Sequence, residues 1–317
     1  MWTLLAFISA LCLGFYDISK KVALRDNKVI DVLTLSICFS SLVLSVPLLL
    51  SRLHPEMMLS TPFYVPKLDL QAHLFTVLKS VIVLSSWIFA YVSLKHLPLS
   101  IVSPMQATRP MWTLVGALLI FGERLNTWQW IGVCLAIGTI LAFSFGHKTS
   151  FSDIKSQVSN RYYIALALAI LIGACSGLYD KYLMRRYDHN AVQVYYTFYQ
   201  AAMMVIVWMI DRFAKRIKNK DINTQPDSSK SLFRTPYSLL PIILISLFLI
   251  ISDNVYMLAL RDPDSLIAVV STIRRGGAVI GFAYGLLFLK EQDPLRKILC
   301  MVGILAGLTC LAIGSMA

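Results

Sequence analysis

The sequence predicts an all-α polytopic membrane protein, with ten transmembrane helices arranged as two inverted five-helix repeats. Three observations carry this prediction. Hydrophobic residues make up 57% of the chain and charged residues 15%, a balance typical of membrane-embedded chains. The apolar residues gather into runs of about 20, the length a helix needs to cross a bilayer. The two halves also match in order: Cys12, Tyr16 and Asp17 stand 163 positions before Cys175, Tyr179 and Asp180, and Tyr91 stands 165 before Tyr256. Each half holds five spans, an odd number, so the halves insert in opposite orientations.

In chain order the first half, 1–146, has spans at 2–20, 29–51, 71–94, 98–121 and 128–146. The first span has no basic segment before it and no small-residue cleavage site after it. It reads as a retained span, not a signal peptide. The fourth carries Arg109 near its centre, followed at once by Pro110. Residues 147–161 form a polar linker. The second half, 162–317, has spans at 162–184, 191–211, 236–259, 265–289 and 296–315. The seventh is rich in aromatic residues, and the ninth carries Arg274-Arg275-Gly276-Gly277 at its middle. The connection 212–234 is basic and contains Gln225-Pro226-Asp227-Ser228-Ser229, a composition expected to stay solvated.

The net charge of +12 raises the question of nucleic acid. However, the lysines and arginines concentrate in short connections between apolar runs. That is the signature of orientation in a membrane, and no nucleic-acid partner is expected. Connections after odd-numbered spans carry 18 Lys/Arg and those after even-numbered spans seven, which predicts both termini outside. None of the six cysteines forms a CxxC pair and the five histidines are scattered, so neither disulfide, metal nor cofactor is expected. The chain contains no GxxxxGK[ST], HExxH or GxSxG, and no paired acid–histidine constellation. This excludes ATP-driven transport and leaves no candidate catalytic residue.

Several motifs are similar to the drug/metabolite transporter superfamily in its ten-span, EamA-type form. They are the two repeats, the Gly122-Glu123 and Lys290-Glu291 endings of spans four and nine, and the glycine-containing span opening Trp128-Gln129-Trp130-Ile131-Gly132. The resemblance covers nearly the whole chain. It implies a basket of ten helices, with spans one to four and six to nine around a central cavity and spans five and ten at the periphery. In the sugar-phosphate translocator branch, a Lys-Arg pair on span nine and a Lys on span four hold the substrate phosphate. Arg274-Arg275 resemble that pair and Arg109 resembles the span-four cation. Arginine replaces lysine here, and Pro110 is a departure from the pattern.

The charged residues inside spans are the candidate site, because each costs about 2.5–3.5 kcal/mol to insert unless it faces protein or water. Arg274 and Arg275 lie about 100° apart on a helix, so they point in different directions. They bind either an anionic substrate through their planar forks or internal carboxylates at Asp17, Asp180 or Asp253. Arg109 shares a helix face with Gln106 and Thr113, and the same two roles are open to it. Asp17 and Asp180, related by the repeat, are read either as gate or proton carrier or as solvated helix ends. Asp253 is read as a carboxylate pairing with an arginine or carrying a proton. Tyr91, Tyr199 and Tyr256 are the aromatic candidates for hydrogen bonds to substrate. Lys79, near the start of span three, is expected to snorkel. Gly276, Gly277, Ala278 and Gly281 form a small-residue face for close helix contact.

The resulting expectation is a secondary transporter of a small, anionic organic metabolite in the cell (inner) membrane, as monomer or homodimer. It works by alternating access, with the arginines binding the charge. Two other classes stay open: an exporter of amino acids or drugs with structural arginines, and a flippase for a lipid-linked head group.

Overall fold

The computed structural model describes residues 1–24, 27–97, 105–106, 108–145, 160–221, 239–287 and 294–316. Every element among them is a helix: α1 (Trp2–Leu24), α2 (Val29–Leu53), α3 (Pro55–Leu59), α4 (Leu70–His96), α5 (Arg109–Phe121) and α6 (Thr127–Phe145). The second half holds α7 (Asn160–Met184), α8 (His189–Asp221), α9 (Leu239–Arg261), α10 (Ile267–Arg275), α11 (Ala278–Leu287) and α12 (Pro294–Met316). Six of them, α1, α2, α4, α7, α9 and α12, are long and apolar enough to cross a membrane; α5 and α6 hold shorter apolar stretches. The protein is thus an all-helical, multi-pass membrane protein. Residues 147–159, the 222–234 part of the basic connection, the Lys290-Glu291 motif and the side chain of Tyr91 lie outside the described residues.

Helix starts follow from local caps. The Asp69 carboxylate accepts from Ala72 N (3.2 Å) before α4, and the Asp188 carboxylate from Asn190 N (2.9 Å) and Ala191 N (3.2 Å) before α8. At α6, Asn126 and Gln129 cap each other reciprocally: Asn126 N donates to Gln129 Oε1 (3.0 Å) and Gln129 N to Asn126 Oδ1 (2.9 Å). Helix α5 ends on Gly122 at φ +61°, the left-handed conformation that glycine adopts without a Cβ penalty.

Helix α5 begins at Arg109 with Pro110 in its first turn. Span nine departs from the continuous helix expected. After Arg275, Gly276 N donates to Ile273 O (2.9 Å) and Gly277 N to Arg274 O (3.2 Å), a tight three-residue pattern that separates α10 from α11. The glycines are required by crowding. A Cβ on Gly277 would fall 2.5 Å from Ala10 O, and one on Gly276 2.6 Å from Leu308 Cδ1.

The chain divides into two compact units, and each draws on both sequence halves. Unit 1 comprises Met1–Gly14, Val81–Tyr187 and Val255–Ala317. Its most extensive helix pairing is α6 against α12. There Gly132 and Gly307 meet reciprocally, so that a Cβ on either would fall 2.8–2.9 Å from the other's carbonyl oxygen. Span five thus pairs with span ten. Helix α5 packs on α7, and α1 meets span nine where Gly14 abuts Gly277 O and Ile280.

Unit 2 comprises Phe15–Ser80 and Asp188–Asn254. Its buried clusters include Leu44, Val65, Ala191 and Val194, and Ala23, Val32, Ile242 and Ile245, with α2 packed along α8. A buried amide network closes one end: Asn254 Nδ2 donates to Asn190 Oδ1 (2.9 Å) and Gln193 Oε1 (2.8 Å). Asn190 Nδ2 in turn holds Pro62 O (2.7 Å), and Gln193 Nε2 holds Ile250 O (2.7 Å). Lys79 does not snorkel. It is 3% exposed, with Nζ 4.5 Å above the ring centroid of Tyr196, because an aromatic face from α8 offers the ammonium a partner inside the unit.

Candidate functional site

Unit 1 brings together residues from four spans. Arg109, at the start of α5, donates through Nη2 to the carbonyl of Gly173 on α7. This close approach depends on Gly173, because a Cβ there would fall 2.6 Å from Arg109 Cζ. Arg274, in the last turn of α10, lays its guanidinium over the ring of Tyr256 on α9, 4.0 Å from the centroid. Tyr256 OH donates to Asp180 Oδ2 on α7 at 3.4 Å. Asp180 and Tyr256 are 8% and 5% exposed, and Arg274 is half-buried. Arg109 lies within electrostatic range of Arg275, Tyr256, Asp180 and Arg274. Three guanidinium groups and one buried carboxylate therefore share one neighbourhood. Arg274 and Arg275 also stand where the negative end of the α10 dipole favours cations.

Arg275 is the exposed member of this group and Arg274 the half-buried one, as the helical turn between them requires. The other sequence candidates fall elsewhere. Gln106 precedes α5 and is exposed, while Thr113 is buried. Asp17, Asp253 and Tyr199 belong to unit 2. Asp17 is exposed near the end of α1, and Asp253 is half-buried; both interact electrostatically with Tyr16. Tyr199 OH is hydrogen-bonded to His73 Nδ1 at 2.9 Å, and the His73 ring meets Tyr195 edge-on.

One constellation escaped the sequence reading. Lys181, counted there among the connection cations, is 1% exposed inside α7. Its Nζ pairs with Glu123 Oε1 at 2.9 Å and also donates to Ser265 O. Glu123 accepts in addition from Ile267 N (2.7 Å) and Ala268 N (3.2 Å) and so caps α10 from a different span. The available signal was Glu123 itself, a carboxylate just past a helix-ending glycine, but nothing in linear order named its partners. Among the described residues no group of His, Cys, Asp or Glu has the arrangement of a metal site.

Residues 1–145 match the EamA-like transporter family. The EamA-like segment spans α1 to α6 and includes Asp17, Arg109 and Glu123. The family so matched is one of transporters. Asp180, Tyr256, Arg274 and Arg275 lie beyond the matched segment. No curated protein matches the sequence. A solved protein crystal structure is similar over 98% of this chain and 96% of its own, with a TM-score of 0.70 and 11% identity. At that identity the likeness is one of fold.

Proposed function

We propose that this protein is a secondary transporter of a small organic anion that works by alternating access between two inverted repeats. Arg109, Arg274 and Arg275 bind the negative charge. The observation that carries this reading is that Arg109 of span four lies within electrostatic range of Arg274 and Arg275 of span nine and of the buried Asp180. Guanidinium forks match carboxylate and phosphate geometry. Tyr256 serves as a platform: its ring holds Arg274 and its hydroxyl holds Asp180. In the empty state Asp180 balances part of the charge, and an incoming anion replaces it. Repeat symmetry is supported by the reciprocal contact of Gly132 and Gly307 and by the matching pairs α5 with α7 and α1 with span nine. The basic-residue bias supports both termini outside.

A second reading is favoured by one contact. Arg109 already donates to a backbone carbonyl, which suits a structural arginine in an exporter of uncharged compounds. A thermal-shift screen separates the two. Purified protein is tested against inorganic phosphate, a sugar phosphate, a dicarboxylate and their uncharged counterparts. A ligand of the folded state raises stability by RT ln(1 + [L]/Kd). The transporter reading expects stabilisation by anions, lost in folded Arg109→Ala and Arg274→Ala. Stabilisation by uncharged compounds alone, retained in those variants, assigns the arginines to packing.

A further inference from the structure

Unit 1 contains a second pair of buried charges that the anion site does not use. Lys181 and Glu123 have side chains 1% and 2% exposed and are 2.9 Å apart. They tie three elements at one point: the chain just past the end of α5, the last turn of α7, and the first turn of α10. The arginine cluster lies further along the same helices. Ile267 precedes Arg274 by seven residues, about 10 Å of helix, and Gly173 precedes Lys181 by eight, about 12 Å. Asp180, next to Lys181, marks where the cluster and the pair adjoin. One turn of α7 therefore holds Tyr256 through one residue and Glu123 through the next.

A buried ion pair is a poor stabiliser compared with apolar packing of the same volume, because both charges lose their hydration. It is well suited to a contact that must exist in one state and vanish in another. It is strong in the dry interior, and both partners are well solvated once water enters. We propose that Lys181 and Glu123 are the gate at this end of the transport path, closed in this conformation and parted in the opposite-facing one. The proposal rests on the alternating-access part of the functional reading and not on the charge of the substrate. The parting line is set by the bonding. Glu123 holds two backbone amides of α10 as well as the ammonium, so α10 keeps its capping carboxylate when Lys181 leaves. Lys181 then gives up Glu123 and Ser265 O together, and α7 separates from α5 and α10.

Ser265 is the reporter, being 1% exposed beneath the Lys181 ammonium. The full chain carries Ser265→Cys in a cysteine-free background, reconstituted in liposomes and exposed to a membrane-impermeant maleimide from each side in turn. Detergent-denatured protein sets complete labelling. The gate predicts slow but measurable labelling from one side only, and at least tenfold faster labelling when Lys181→Met removes the pair. A permanent brace predicts no labelling from either side, and that result overturns the proposal. Equal rates with and without Lys181 in folded protein overturn it too. If Lys181→Met does not fold, the one-sided labelling of the protein with its pair intact decides alone. No substrate is needed, so failure of the anion screen leaves this result standing, and an unreactive Ser265→Cys leaves the anion site standing.

Discussion

Gly132 and Gly307 occupy each other's missing side-chain space. A Cβ on Gly132 would lie 2.8 Å from Gly307 O, and a Cβ on Gly307 would lie 2.9 Å from Gly132 O. Such reciprocity is what a two-fold relation between α6 and α12 produces. Gly307→Val must push the backbones apart and is expected to cost about 1–3 kcal/mol. Gly138 lies on α6 with Gly132 and has nothing within 4 Å of its Cβ position, so Gly138→Val is the matched control and is expected to be neutral. Thermal unfolding in detergent reads both. Equal melting temperatures would contradict the close pairing.

Gly173→Ala tests how Arg109 is seated. The added methyl would fall 2.6 Å from Arg109 Cζ, so the guanidinium has to leave the Gly173 carbonyl. If that seat orients Arg109 for an anion, affinity for the best anion of the thermal-shift screen falls roughly tenfold, about 1.4 kcal/mol. Isothermal titration checks this. Unchanged affinity would mean that Arg109 binds from another position or not at all.

Tyr256 separates two contacts in one side chain. Tyr256→Phe keeps the ring beneath Arg274 and removes the hydroxyl that reaches Asp180. Tyr256→Leu removes both. The cation–π contact is worth about 0.5–2 kcal/mol. Anion affinity is expected to fall in the order native, Phe, Leu. If Phe and Leu behave alike, the ring is not what positions Arg274.

The Lys181–Glu123 pair gives a double-mutant cycle. Lys181→Met strands a buried carboxylate and is expected to destabilise by about 3–5 kcal/mol. Adding Glu123→Gln removes the stranded charge, so the double variant should recover part of that loss, with a coupling of about 0.5–3 kcal/mol. Chemical denaturation in micelles measures it. Additive losses would show that the two side chains act independently.

In unit 2, Asn254→Leu deprives Asn190 Oδ1 and Gln193 Oε1 of their shared donor. Leaving a buried acceptor unsatisfied costs about 1–3 kcal/mol. Hydrogen exchange should loosen first near Pro62 and Tyr64, whose carbonyls Asn190 Nδ2 holds. Loosening confined to α9 would show that the network does not reach that segment.

The sequence by itself determined the class of this protein. Apolar runs of bilayer length, separated by basic connections, leave a chain no soluble core to build, and the helix is the spanning element that satisfies its own backbone. The repeated residues also marked Asp180, Tyr256 and Arg274, because a duplicated pattern is visible in linear order. Tertiary structure decided the rest. Whether Arg274 stacks on Tyr256, whether span nine breaks at Gly276, and whether Lys181 is a loop cation or a buried partner of Glu123 all depend on neighbours far along the chain. Lys181 and Glu123 are 58 residues apart with no periodicity linking them. Composition prices each charge against the bilayer one at a time, whereas only packing determines which opposite charge lies beside it.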